Sequence, residues 1–208
     1  FPGVPIFFTI SGFLIFASYD RNQSLKKYFK NRFLRIYPLI FVATIITTIL
    51  LIIFSNGRLS LKGLVIWFFG QVTLFQYYTP DALRYFGVGT PNGALWTIPV
   101  ELEFYLLVPI LYFMNKKAGN IELLVLAACS FAVYTFIPKS FLPLVYKKLF
   151  EVSIFYYLLH FIVGVLLYLH FDKLKKYLEN KGLLWLGIYI VFFLVFDKYS
   201  GLYHDLYS

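Results

Sequence analysis

The fold class expected from the sequence is all-α: a polytopic transmembrane helix bundle of about seven apolar segments. Three observations lead to it. The 208-residue chain is 60% hydrophobic and 14% charged, where a soluble domain carries about 25% charged residues. Its apolar residues fall in helix-length runs rather than in scattered 3.6-residue stripes. The runs also do not alternate in segments of about ten residues, which excludes a β-barrel. They cover roughly 3–19, 36–55, 61–79, 95–114, 121–137, 152–171 and 183–197. Gly, Pro, Asn and charged residues fill the gaps, as in Ser55-Asn56-Gly57-Arg58, Thr90-Pro91-Asn92-Gly93 and Asn115-Lys116-Lys117-Ala118-Gly119-Asn120. There is no internal repeat and no linker, so residues 1–208 are expected to form one domain. The chain opens at Phe1, is apolar by Val4 and shows no signal peptide. It reads as the interior of a longer protein.

The first run holds Phe7-Phe8-Thr9-Ile10-Ser11-Gly12-Phe13-Leu14-Ile15. Ser11-Gly12 allows close backbone approach, and the hydroxyl can bond a neighbouring helix. Tight packing is the plainer reading of the pair. The next stretch is basic, with six of the 19 Lys and Arg residues between Arg21 and Arg35. A basic segment beside a span marks the cytoplasmic side and contact with anionic lipid. With no soluble basic domain, nucleic acid is not the expected partner. Membrane orientation accounts for Lys26, Lys27 and Lys30. Arg32 and Arg35, three apart, share a helix face, and two guanidiniums at the start of a helix can hold phosphates bidentately. For this pair, orientation and phosphate binding stand level. The path of 61–94 stays open. If 61–79 crosses fully, the basic loop 172–182 falls outside. If 61–94 dips in and returns, that loop falls inside, as the charge rule prefers.

The run from Leu95 carries two acids, in Leu95-Trp96-Thr97-Ile98-Pro99-Val100-Glu101-Leu102-Glu103-Phe104-Tyr105. Two carboxylates at bilayer depth cost about 5–7 kcal/mol, and each Leu, Ile, Phe or Val returns about 0.3–0.6 kcal/mol. So small a margin points to a functional acid inside a bundle. Thr97, Glu101 and Tyr105 share one face, and Pro99 belongs in the first turn. Glu103 lies about 200° round from Glu101, so the two acids cannot point into one cavity. Glu101 lies about 9 Å along the axis from Leu95. A catalytic or substrate-ordering role is expected for Glu101 and a structural one for Glu103.

Cys129 is the single cysteine, so no intrachain disulfide exists, and it reads as a small packing residue. His160 could relay protons, but a hydrogen bond to a neighbouring helix is favoured. His170 and His204 look peripheral, and three scattered His do not make a metal site. No phosphate-binding glycine loop and no G-x-S-x-G elbow is present.

Three motifs in order resemble the membrane-bound acyltransferase 3 family, whose members acylate carbohydrates. Gly3–Ile15 resembles its F-F-x-x-S-G-F-L helix, Arg32-Phe33-Leu34-Arg35-Ile36-Tyr37-Pro38 its R-x-x-R-I-x-P motif, and Asn92–Tyr105 its L-W-S-L-x-V-E-x-x-F-Y helix. They cover the first half of the chain; residues 120–208 match only as apolar spans. Thr97 stands where the family has Ser, keeping the hydroxyl. The resemblance implies an integral, multi-pass O-acyltransferase of the bacterial inner membrane. It would move an acyl group, acetyl by expectation, from acyl-CoA to a hydroxyl of a surface glycan or lipid-linked saccharide. Arg32 and Arg35 would meet the donor's phosphates, and Glu101 and Trp96 would orient the reacting groups. Ser11, Thr97 and Tyr105 would line the site. The general base would be a His in a helix before the F-F-x-x-S-G segment. No metal and no permanently bound cofactor is implied. A transporter or polysaccharide-export component is the alternative.

Overall fold

The computed structural model describes residues 3–55, 59–73, 75–76, 78–86 and 89–191. Nine α-helices are found among them: α1 (Gly3–Arg21), α2 (Leu25–Phe54), α3 (Leu61–Val72), α4 (Thr97–Ala118), α5 (Asn120–Phe136), α6 (Leu144–Glu151), α7 (Ile154–Leu169), α8 (Phe171–Leu178) and α9 (Gly182–Val191). Short 3₁₀ turns occupy Asp81–Leu83 and Gly93–Trp96. His204, the stretch Tyr199–Ser208 and the end of the 183–197 run lie outside the described residues.

The all-helical expectation holds, but the number of crossings changes. Among the described residues four stretches are long and apolar enough to cross a membrane, not seven: Gly3–Arg21, Leu25–Phe54, Thr97–Ala118 and Leu144–Leu169, the last joining α6 to α7. The described helical parts of the other three runs have 12, 17 and 10 residues. At 1.5 Å per residue they reach about 18, 26 and 15 Å, against a hydrocarbon core of about 30 Å. Hydropathy also misplaces the start of α2. The helix begins at Leu25, so Arg32 and Arg35 sit within it rather than ahead of it.

Local chemistry sets several boundaries. The Ser60 hydroxyl accepts the Gly63 N–H at 3.2 Å and caps α3. Gly119 takes φ +67 after Ala118, the left-handed C-terminal stop that glycine adopts without strain. The expected loop 115–120 therefore shrinks to one residue between α4 and α5.

The core lies where α1, α4 and α7 meet. Phe104 and Phe161 stack with centroids 3.8 Å apart, and Phe8 packs edge-on to Phe104 at 5.4 Å. Glycines let α1 and α7 cross closely: a methyl on Gly12 would fall on the Phe161 carbonyl oxygen, and one on Gly164 on that of Thr9. α5 joins the bundle through Ser130, whose hydroxyl enters the α7 ladder. It accepts the Leu159 N–H at 2.9 Å and donates to the Phe155 carbonyl at 2.8 Å. Cys129, expected to pack, is exposed, because Leu123, Ala127 and Ser130 form the inward stripe of α5.

The path of 61–94 also becomes clear. Tyr168 donates to Asp20 at 2.8 Å, and Asn120 bonds His170 at 2.7 Å. Gln23 donates to the Tyr112 hydroxyl. These contacts bring the 20–24 turn, the α4–α5 junction and α8 to one end. Arg21, Lys26, Lys27, Lys116, Lys117, Lys173, Lys175 and Lys176 gather there. At the other end, Leu51 packs with Leu64, Trp67 and Leu83, so 61–94 leaves and returns on one side. The basic loop 172–182 therefore shares an end with the 20–35 stretch.

Candidate functional site

α1, α2 and α4 border a partly open cavity of about 570 Å³. α1 contributes Ser11 among apolar residues, α2 contributes Arg35, and α4 contributes Thr97 and Glu101. Ile36, Leu39, Ile40, Leu95 and Ile98 complete much of the apolar wall. The helical periods explain the grouping: Thr97 and Glu101 are one turn apart on α4, and Arg35 and Leu39 one turn apart on α2. Glu101 is 8% exposed. It is one of the residues lining this cavity.

The face expected for Glu101 and Tyr105 is found, and a bond joins them: the Tyr105 hydroxyl donates to Glu101 Oε1 at 2.6 Å. A short hydrogen bond to a charged acceptor is among the stronger kinds. It also keeps a buried carboxylate from standing alone, which would be costly. Glu103 points elsewhere, as its angular offset requires. Its Oε2 accepts the Ile154 N–H at 2.7 Å and caps the start of α7 from a neighbouring helix. The hollow beside it, lined by Pro99, Leu149 and Ser153, is separate from the Glu101 cavity.

Arg32 and Arg35 do not share a hollow. Arg35 lines the Glu101 cavity, whereas Arg32 lines a second hollow of about 450 Å³ with Phe29, Lys30, Phe33, Tyr37 and Tyr105. A separation of three residues turns a helix by about 300°, so neighbouring side chains can fall on either side of a wall. Arg32 is 8% exposed. Its Nη2 donates to Ser18 Oγ at 2.6 Å. Its guanidinium lies 5.8 Å from the Tyr28 ring centroid and 5.6 Å from that of Tyr105, within cation–π range. Tyr105, expected to line the site with Ser11 and Thr97, lines this second hollow and not the Glu101 cavity; its ring lies toward Arg32 and its hydroxyl bonds Glu101.

Trp96 ends the 3₁₀ turn ahead of α4 and packs on Tyr157, centroids 5.7 Å apart. It does not line the Glu101 cavity, although its neighbours Leu95 and Thr97 do. His160, expected to bond a neighbouring helix, keeps its Nδ1 buried without a hydrogen-bond partner. Its ring lies 6.5 Å from that of Tyr157, away from Glu101.

Sequence reasoning missed Ser18 and Pro109, and placed Tyr28 only near the stripe of the two arginines. Pro109 is inside α4 and has no N–H to give the carbonyl four residues earlier, that of Tyr105. The Tyr28 hydroxyl donates to that carbonyl at 3.2 Å. The proline was the legible signal; the residue answering it comes from another helix.

The profile of the acyltransferase domain of the acyltransferase 3 family matches residues 1–207. Nodulation protein 10 of Rhizobium leguminosarum bv. viciae is 30% identical over 200 residues, 91% of this chain and 54% of its own length. The peptidoglycan O-acetyltransferase OatA of Listeria monocytogenes is 32% identical over 126 residues, 56% of this chain and 20% of its own length. The O-acetyl transferase of Shigella phage Sf6 is 31% identical over 140 residues, 61% of this chain and 40% of its own length. The chain thus spans about half the length of the nodulation protein and less of the other two. No solved structure matches it with significance. With the profile running from the Ser11-Gly12 helix through the Glu101 helix to the far end of α9, the chain belongs to the acyltransferase 3 family.

Proposed function

We propose that this chain is the acyl-transfer core of an integral membrane O-acyltransferase, moving an acetyl or similar acyl group from acyl-CoA to a hydroxyl of a surface carbohydrate. The observation that carries this reading is the cavity shared by Glu101, Thr97, Ser11 and Arg35 between three helices. It offers an acid, two hydroxyls and a guanidinium in a mostly apolar chamber, where such groups act more strongly than in water. The names of the relatives, O-acetyltransferases among them, support the same reaction class.

In this reading the basic end faces the cytoplasm of a bacterial cell, as the charge rule favours, and the protein sits in the inner membrane. Acyl-CoA approaches from that end, with Arg35 meeting a phosphate. A saccharide hydroxyl, free or lipid-linked, enters from the opposite end. Its oxygen attacks the thioester carbonyl, the C–S bond breaks, and CoA leaves as the thiol. The acceptor's proton passes to a general base, which the family resemblance places on a His in a helix ahead of the F-F-x-x-S-G segment, and from that base to the departing thiolate. Glu101 orients that base or the acceptor, and Trp96 shapes the rim beside Leu95 and Thr97. Positioning of this kind supplies several kcal/mol of the barrier reduction, and proton transfer about 10²–10⁴-fold.

The test is ester analysis of surface glycans from a strain lacking the gene, complemented with wild type or with Glu101→Ala. One ester-linked group should disappear, return with wild type and stay absent with the variant. Unchanged esters in the deletion strain, with altered saccharide export, would support a transport role instead.

A further inference from the structure

We infer that Arg32 and Arg35 do different work: Arg35 meets the anionic substrate, while Arg32, with Ser18 and Tyr28, is a positioning residue that holds Tyr105 against Glu101. The inference rests on the acyltransferase reading above and divides a motif that the sequence presents as one unit.

Burial separates the two guanidiniums. Arg35 is exposed and lines the 570 Å³ cavity that holds Glu101. Among the described residues, the ion pairs are Arg84–Asp81 and Lys175–Glu179, so no carboxylate occupies Arg35. Arg32 is closed in. Its Nη2 is taken by Ser18, and its Nε and Nη1 are buried with no hydrogen-bond acceptor. The ring centroids of Tyr28 and Tyr105 lie 5.8 and 5.6 Å from the guanidinium carbon. A guanidinium so placed interacts with ring faces rather than with a diffusing ligand.

The contacts of Arg32 lead to Glu101. Ser18 on α1 fixes one end of the guanidinium. The Tyr105 ring lies 5.6 Å from its carbon, and the Tyr105 hydroxyl donates to Glu101 at 2.6 Å. Tyr28 secures the same tyrosine through its backbone, by donating to the carbonyl that Pro109 leaves open. Tyr105 is thus held from both sides, by cation–π contact on its ring and a hydrogen bond at its main chain. Its two side-chain torsions then have little freedom, and Glu101 receives a fixed donor. Locking a site residue through its neighbours is how outer residues sustain a catalytic geometry.

The experiment uses the full-length protein in membranes or nanodiscs, with CoA as the binding probe and acetyl-CoA plus a saccharide acceptor for kinetics. Arg35→Gln should weaken CoA binding and raise the donor KM about tenfold or more. Arg32→Lys and Tyr105→Phe should leave CoA affinity and donor KM within about twofold and lower kcat about tenfold. The double variant should fall no further than the weaker single one, because both changes break one linkage. Ser18→Ala, a milder change that spares the core, should lower kcat in the same sense with KM unchanged. Arg32→Lys weakening CoA binding as much as Arg35→Gln would overturn the division, as would additive losses in the double variant. Wild-type protein that binds no CoA would remove the acyl-CoA reading itself and Arg35's assignment with it.

Discussion

Glu101 and Glu103 are one residue apart from a shared neighbour, yet they meet opposite surroundings. A helix advances 100° per residue, so Glu101 faces α1 and α2 while Glu103 faces the start of α7. That division was legible in the spacing. What each acid would find on its side was not, because the Ile154 N–H and the Arg35 side chain come from distant sequence. Glu103→Ala removes an acceptor from a partly buried N–H, and the protein should lose about 1–2 kcal/mol of stability. A lowered midpoint in detergent thermal unfolding, with CoA binding retained, is the expected result. Glu101→Gln keeps the shape and a weaker acceptor for Tyr105. Activity in the glycan-ester assay should fall by about 10²-fold or more if the charge orders the reacting groups; near-normal activity would leave the carboxylate with a packing role only.

Helix boundaries were harder to read than helix existence. The basic stretch 20–35 looks like a loop by hydropathy, but Leu25–Arg35 continues α2 because Lys and Arg are good helix formers. This extension is what carries the two arginines down beside α4. The Ser11-Gly12 pair was read as packing, and half of it is: Gly12 makes room for the α7 backbone, while Ser11 lines the cavity. Its counterpart Gly164 carried no motif that would single it out. Gly12→Ala or Gly164→Ala should push α1 from α7, costing about 1–3 kcal/mol by overpacking, and since α1 also walls the cavity, activity should fall with stability. Fluorescence-detected size exclusion and the glycan assay together check this; wild-type behaviour of both variants would mean that the crossing is looser than the contacts imply.

Across the molecule, basic residues are denser at one end. The 20–24 turn, the α4–α5 junction and α8 meet through Asp20–Tyr168, Gln23–Tyr112 and Asn120–His170. Leu51, Leu64, Trp67 and Leu83 cluster at the opposite end. If the protein spans a bilayer as proposed, cysteines placed at Lys26, Lys117 and Lys175 in a Cys129→Ser background should react with an impermeant thiol reagent from one side. Cysteines at Arg84 and Lys148 should react from the other. Labelling of the Lys175 and Arg84 positions from the same side would contradict the arrangement.

Composition and spacing along one chain were enough for the helical class, the three motifs and the shared face of Thr97, Glu101 and Tyr105, because each depends on local periodicity and apolar content. They overstated the crossings, since hydropathy counts apolar residues without knowing where a helix stops. Which side of α2 each arginine occupies, and which hydroxyl answers the carbonyl freed by Pro109, depend on how α1, α2 and α4 lie against one another. Those relations come from long-range packing, and no segment of this sequence encodes them alone.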